Sequence, residues 1–386
     1  CPNPPEALPL DTAKGTKSLW NPIIDIFIIQ INLCEVNTMI YRTPQYCHEF
    51  RCIAGDCRDS CCKGWEIDID SDTHDYYMSV GGSFGERLRS NIKDDSFLLT
   101  EDEHCPFLNE CGLCDIYTEL GEDRLCQICS DHPRYFEWFG TFKEGGVGLC
   151  CEAAARLILS SPFSLCEEDI PYESASGEYD EELLSLLLEV RGEMFSVLCD
   201  KSVPLDECLC RVLDIAEEAQ QYVDMPAEEA SKTGSKNALR SIFLCLEELE
   251  PIDESWQPYI RGCKEKLAAA PAADTAHLPY LRRIALYLIF RYLLKSVYDG
   301  EVLGYAKFAA VSVIVISSLY RCKASETGCC SFDKCADIAK DYSKEVEYSD
   351  ENMSQLLELF GTEVFFSCAS LKELLKGITG GIVGII

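Results

Sequence analysis

"LRRIALYLIFRYLLKSVYDG", residues 281–300, is apolar enough to suggest a membrane span and charged enough to argue against one. Arg282, Arg283, Arg291 and Lys295 interrupt it. The next apolar run, "FAAVSVIVISSLY" at 308–320, is shorter than the roughly 20 residues a helix needs to cross a bilayer. Both runs read as buried helices of a bundle. Upstream, Leu183, Leu187, Val190, Met194 and Val197 recur at alternating steps of four and three, one apolar stripe of a helix. Leu239, Ile242, Leu246 and Leu249 repeat the pattern, and "DMPAEEASKTGSK" (224–236) and "AAAPAAD" (268–274) separate the segments. The back half is therefore expected to be an α-helical domain over 180–375.

The front half has a different texture. Residues 1–38 start Pro-rich and continue with "IIDIFIIQINL" at 23–33, which Asp25 and Gln30 break. They read as an extension outside the native fold, with Met39 as the start of the rest; the alternative is a genuine N-terminal segment. Residues 39–165 carry short apolar runs and glycine punctuation at Gly55, Gly64, Gly81, Gly82, Gly112 and Gly121. They read as an irregular Cys-rich metal-binding domain of loops and short helices, closed by a helix on "AAARLIL" (153–159). The fold class expected is mainly α.

Charge narrows the function. With 34 basic against 66 acidic residues the net charge is −32. Nucleic-acid affinity rests on basic groups neutralising phosphates, so that class is excluded. The same acidity would concentrate a cationic, lysine-rich partner.

Twenty-five cysteines are the outstanding feature, twelve of them between Cys47 and Cys151. A disulfide scaffold is short and secreted, whereas this chain is long, its cysteine total is odd, and no cleavage-type site follows the 23–33 run. A reducing cytoplasm fits better, and there clustered thiols mean metal or redox chemistry. "CRDSCCKGW" (57–65), "CPFLNECGLCDIY" (105–117), "LCQICSDHPRYF" (125–136) and "GLCCEAAARL" (148–157) hold two C-x-x-C pairs and two adjacent pairs. A metal ion or iron–sulfur cluster needs thiolates from a few short loops with glycines that let the backbone turn. Zinc and a [4Fe–4S] cluster use the same four thiolates, so the metal stays open. A cysteine nucleophile would need a histidine partner, and His48, His104 and His132 lie beside cysteines in sequence. A structural zinc site in a non-catalytic chelating or interaction module is the remaining alternative.

"YRTPQYCHEFRCIAGDCRDSCCKGWEIDID" (41–70), "CPFLNECGLCDIYTELGEDRLCQICSDHPRYFEWFG" (105–140) and "CCEAAARLIL" (150–159) closely resemble the flagellin lysine N-methylase family. So do "FRYLLKSVYDG" (290–300) and "VEYSDENMSQLLELF" (346–360). The family lies within a wider group of cysteine-cluster proteins described as zinc- or iron-chelating. The resemblance implies a bacterial cytoplasmic enzyme that transfers methyl groups from S-adenosylmethionine to lysine ε-amines of flagellin. It also implies a required, oxygen-sensitive [4Fe–4S] cluster. The cysteines on the family's motifs are Cys52, Cys57, Cys61, Cys62, Cys105, Cys114, Cys126, Cys129 and Cys151, while Cys47, Cys111 and Cys150 are extras. Nine thiols exceed the four of one cubane, so either some are structural or a second metal site exists.

No glycine-rich loop after a strand marks a dinucleotide-type pocket, so the methyl donor is expected to bind in a non-Rossmann manner. His132 and Arg134, just past the Cys126–Cys129 pair, are the cofactor-binding candidates. Arg134 offers a two-pronged guanidinium to a carboxylate, and the alternative is that both merely brace the loop. Asp68, Asp70, Asp115, Tyr117, Tyr135 and Trp138 are weaker candidates for gripping cationic substrate or sulfonium. No transmembrane segment is expected, and peripheral membrane association stays open.

Overall fold

The computed structural model describes residues 38–140, 142–173, 179–223, 237–267 and 270–379. The apolar run at 23–33 and the 224–236 linker lie outside the described residues.

The front unit begins with β1, Thr38–Pro44, whose Thr, Ile and Tyr suit a pleated surface. Asp70 then caps α1 (Ser71–Ser79), accepting from Thr73 N at 3.0 Å, and α2 follows at Gly82–Ser90. A two-residue ladder pairs β2 (Ile92–Lys93) with β3 (Ser96–Phe97). Two short helices, α3 (Asp115–Leu120) and α4 (Gln127–Asp131), carry the C-x-x-C segments. Then come β4 (Arg134–Phe139), β5 (Phe142–Val147), α5 (Glu152–Ser160) and β6 (Leu165–Pro171).

Four of these strands form one mixed sheet in the order β4-β5-β1-β6. β1 runs parallel to β5, with Ile40 opposite Phe142, and antiparallel to β6, with Thr43 opposite Cys166. This sheet departs from the loops and short helices expected of the front unit. Its partners are far apart in sequence, and Gly145–Gly146 lowers the strand signal of β5. Gly146 is required there by packing: a Cβ on it would stand 2.5 Å from the Tyr135 hydroxyl oxygen.

The back unit is helical, as its periodicity predicts. It comprises α6 (Glu181–Cys199), α7 (Leu205–Gln220), α8 (Ala238–Glu248), α9 (Trp256–Lys266) and α10 (Leu278–Tyr292). These are followed by α11 (Val302–Thr327), α12 (Phe332–Tyr342), a π-turn at Ser343–Glu347, α13 (Asp350–Thr362) and α14 (Cys368–Leu375). In α6 the deepest residues are Leu184, Leu187, Met194 and Leu198, so the stripe is rotated slightly from the one read in sequence. The run at 308–320 belongs to a helix longer than its apolar letters suggest. By length and composition α11 could cross a membrane, but 94% of its apolar window is buried against the other helices. A helix apolar all round is what a bundle centre needs.

The main apolar core runs from Tyr46, Phe50, Phe139 and Phe142 through α5 into the helices, crossing the 165–180 junction without a break. A second, smaller core holds Ile67, Ile69, Tyr77, Leu88, Phe97, Phe107 and Ile116, together with buried Cys105 and Cys126. A buried ion pair ties sheet to helices. Arg191 of α6 grips Glu144 of β5 through two nitrogens at 2.6 and 2.7 Å, both side chains almost fully enclosed.

Candidate thiol site

Short loops bring the cysteine motifs together, and each is held by specific bonds. Cys105 N donates to Cys62 O at 2.8 Å, joining the second motif to the first. The Asn109 side chain accepts from Cys111 N and Leu113 N, both at 3.0 Å, and donates to Asp115 at 2.9 Å, which turns the "NECGLC" loop. Gly112 sits at φ +72°, in the left-handed region that glycine alone enters freely. Asp70, besides capping α1, accepts from Gln127 N at 2.8 Å and so fixes the start of α4 beside Cys126.

The nine motif cysteines fall into two groups. Cys62, Cys105, Cys114, Cys126 and Cys129 all pack in or against the smaller core. Burial pushes the Cys105 thiol up to about 12, and Cys62, Cys114 and Cys126 add to the rise. Burial and Cys62 likewise raise Cys114. The second group is Cys52, Cys57, Cys61 and Cys151. Burial raises Cys151, with Cys57 and Cys52 adding, and Cys57 rises from burial with help from Glu152, Asp59 and Cys52. The groups meet at Cys61 and Cys62. A hydrogen bond from the Cys61 thiol lowers Cys62 to about 7, and the same bond raises Cys61. Cys126 and Cys129 repeat the relation, with Cys126 lowered by its partner's hydrogen bond. Each pair therefore contains one thiol disposed to ionise first, the form that binds metal.

Every described cysteine is a free thiol. Among the described residues, no three or more His, Cys, Asp or Glu side chains close to coordination distance around one point. Within each group the sulfurs lie within electrostatic reach of one another, and Cys61 beside Cys62 links the two groups. As a donor set they fit zinc or an iron–sulfur cluster, both of which take thiolates.

The loop between the groups is clamped to the back unit. Arg58, next to Cys57, donates to Glu152 through Nε and Nη2 at 2.9 and 2.8 Å, and to Asp337 of α12 at 3.2 and 2.5 Å. Asp59 accepts from Lys340 of α12 at 2.5 Å and from Lys344 of the π-turn at 3.3 Å. Burial opposes ionisation of Asp59, but the two ammonium groups outweigh it and hold the carboxyl below its usual range.

Residues 230–374, the segment that supplies Asp337, Lys340 and Lys344, match the FliB lysine N-methylase C-terminal domain. The back unit from residue 230 onward is thus similar to the FliB C-terminal domain. The lysine-N-methylase of Salmonella typhimurium strain LT2 is 29% identical over 132 residues, 31% of this chain and 32% of that protein. The flagellar biosynthetic protein FliU of Salmonella muenchen is 28% identical over 132 residues, 31% of this chain and 76% of that protein. The match thus spans about a third of the length of the Salmonella methylase. No solved structure matches.

The back unit also reaches the thiol loops through a buried polar network. Glu347 of the π-turn accepts from Arg291 at 2.7 Å, from Tyr287 at 2.5 Å and from Tyr292 at 3.0 Å. The Arg291 guanidinium lies 4.3 Å from the Tyr135 ring and 4.7 Å from the Tyr348 ring. Tyr348 in turn packs 6.4 Å from Trp65, whose indole donates to Cys61 O at 2.7 Å. These back-unit residues were missed by sequence reasoning, although a charged Arg291 within an apolar helix was a signal of a buried partner.

His132 and Arg134 are not brought together. His132 packs edge-on to Trp65 at 5.0 Å, and burial lowers its pKa to about 4. Arg134 lies over Phe50 and lines a small cavity of about 190 Å³ with Cys47, His48 and Glu168. The other candidates have structural partners. Asp68 accepts from Ser96, Asp115 from Arg87, and Glu173 accepts from Trp138. Tyr117 is half exposed, while Tyr135 is stacked on Arg291. His48 does meet a thiol, Cys166 at 3.2 Å, but burial and Glu168 raise that thiol and work against a nucleophilic thiolate.

Proposed function

We propose that this chain is a protein-lysine N-methyltransferase that modifies lysine ε-amines of flagellin, with S-adenosylmethionine as donor and a Cys-ligated [4Fe–4S] cluster in the front unit. The observation that carries the reading is the FliB C-terminal domain match over residues 230–374. The relatives named lysine-N-methylase and FliU support lysine methylation and a flagellar substrate. The nine thiols and their placement support the metal. A cytoplasmic location follows from the reduced thiols the reading requires.

When bound, such a cluster supplies a redox-active, Lewis-acidic centre. What the chain's own residues do is hold the donors. Cys62 and Cys126 ionise first, and Asn109, Gly112 and Asp70 shape the loops. The Arg58 and Asp59 clamp fixes the loop that carries Cys57, Cys61 and Cys62. The reaction itself forms a C–N bond as the C–S bond of the sulfonium breaks, and the lysine must be neutral. Positioning and exclusion of water are therefore the protein's main contributions.

The test is methyl transfer by anaerobically purified chain from S-adenosylmethionine to flagellin, read as whole-methyl mass increments on lysine peptides, together with metal analysis. Brown protein with iron, sulfide and methylated flagellin is the expected result. Colourless protein with stoichiometric zinc and unmodified flagellin would overturn it in favour of a non-catalytic chelating module.

A further inference from the structure

Two thiols outside the nine motif cysteines stand in contact at the start of α12. Ser331 caps this helix, its side chain accepting from Lys334 N at 3.5 Å. Cys330 precedes the cap and Cys335 is the fourth helical residue, the two positions that an apolar staple joins across a helix start. Here sulfur makes the staple, with Cys335 Sγ 3.5 Å from Cys330 Sγ and 3.7 Å from Cys330 O. Both backbones are held in place. His277 Nε2 donates to Cys330 O at 2.9 Å, and the Tyr320 hydroxyl donates to Cys335 O at 3.0 Å.

The pair has the polarity that thiol–disulfide exchange requires. The hydrogen bond from Cys335 lowers the Cys330 thiol, Lys323 and Lys334 add to this, and the same bond raises Cys335. Cys330 is thus the thiolate that attacks and Cys335 the thiol held in reserve. A disulfide bond is about 2 Å long, so the sulfurs need to approach by only about 1.5 Å. Cys335 is fully enclosed, whereas Cys330 lies in the 328–331 loop, where Gly328, Cys329 and Ser331 are exposed. A loop opens locally at lower cost than a packed helix, so a small reagent reaches Cys330 while the helices stay formed.

We propose that Cys330 and Cys335 form a reversible thiol–disulfide site whose reaction partner is a low-molecular-weight disulfide. The Cys330 thiolate attacks one sulfur of the reagent, forming a mixed disulfide and expelling one thiolate. Cys335 then gives up its proton and attacks the Cys330 sulfur, closing the intramolecular bond and expelling the second thiolate. The two protons of the pair end on the two expelled thiols. The chain is thereby oxidised by two electrons and the reagent reduced by two. The site does not depend on the methyltransferase reading. It sits at the root of the helix whose Asp337 and Lys340 grip Arg58 and Asp59, so the bond staples that helix covalently beside the clamp.

The experiment incubates the anaerobically purified full chain with oxidised glutathione, alkylates it after denaturation and maps tryptic peptides without reduction. Trypsin cleaves after Lys334, so the bond joins the peptide ending at Lys334 to the one beginning at Cys335. Wild type is expected to give this linked pair, and dithiothreitol to release it. Cys335→Ala removes the resolving thiol and should accumulate glutathione on Cys330 instead. Cys329 lies in the same peptide as Cys330, and Cys329→Ser should keep the link while Cys330→Ala abolishes it. Glutathione on exposed Cys199 with Cys330 and Cys335 both alkylated would overturn the proposal. So would a link lost in Cys329→Ser, a link kept in Cys330→Ala, or a link that forms only in urea. The wild-type map needs no variant, so a substitution that fails to fold leaves the test standing.

Discussion

Arg58 and Asp337 lie 279 positions apart, and the guanidinium of one meets both carboxylate oxygens of the other at 3.2 and 2.5 Å. The contact joins the residue after Cys57 to helix α12 of the back unit. Glu152, next to Cys151, shares the same guanidinium. One arginine thereby ties two thiol-bearing segments to the back unit.

Breaking that contact should loosen the thiols before it unfolds the chain. Arg58→Ala leaves the buried Glu152 carboxylate with the backbone N–H of residue 58 at 3.0 Å and the longer Arg156 contact at 3.5 Å, and the cost should be about 1–3 kcal/mol. The single variants Arg58→Glu and Asp337→Arg should speed labelling of thiols by a maleimide and lower bound metal. The double variant should recover part of both. Labelling and metal content as in wild type in the singles would remove the clamp from the account.

The two thiol groups predict two classes of Cys→Ala variant. Substitutions within Cys62, Cys105, Cys114, Cys126 and Cys129 should resemble one another, and those within Cys52, Cys57, Cys61 and Cys151 should form a second class. Pairs drawn from one group should be non-additive, because they dismantle a shared site, whereas pairs across groups should come nearer to additive. Iron, zinc and visible absorbance per chain are the readouts. Nine indistinguishable variants would mean that the division has no chemical meaning.

Arg191 and Glu144 offer a stability test remote from the thiols. Arg191→Ala strands a nearly enclosed carboxylate, although Arg42 still reaches it at 3.1 Å. A loss of about 3–5 kcal/mol is expected in urea unfolding, the scale for breaking one side of a buried pair. Arg191→Met combined with Glu144→Leu should cost less than Arg191→Ala alone, since no charge is then left unpaired.

His132 gives a pH dependence with a defined sign. Burial lowers its pKa from 6.5 to about 4, so the folded chain keeps it neutral. As pH falls below 6.5 the unfolded chain takes up the proton first, and stability declines until the folded imidazole titrates near 4. The full loss is about 3 kcal/mol at one pKa unit per 1.36 kcal/mol. His132→Phe, which keeps a ring against Trp65, should flatten the decline between pH about 7 and about 4.5 in urea unfolding. A variant with the same slope as wild type would contradict the buried, neutral state.

The helices were legible because their information is local. Leu187, Val190 and Met194 repeat with the turn of a helix and are buried where that spacing places them. The C-x-x-C pairs were legible for the same reason, as were the glycines that let the loops turn. The sheet was not, because β1 acquires its partners from Phe142 onward and Leu165 onward, and no window of sequence contains both. The cofactor candidates His132 and Arg134 are two positions apart, yet they face Trp65 and Phe50 respectively.

By itself, then, the sequence determined a helical back half, a thiol-rich front half and the donor chemistry on offer, all properties carried by residue type and short-range spacing. Tertiary structure alone decided how the nine thiols divide and why adjacent Cys61 and Cys62 serve different groups. It also decided that Arg58, Asp59 and Trp65 are anchored by residues near 340. Those choices depend on which distant segments come to rest against one another. That outcome is set by the packing of two apolar cores and the pairing of buried charges, which no local pattern records.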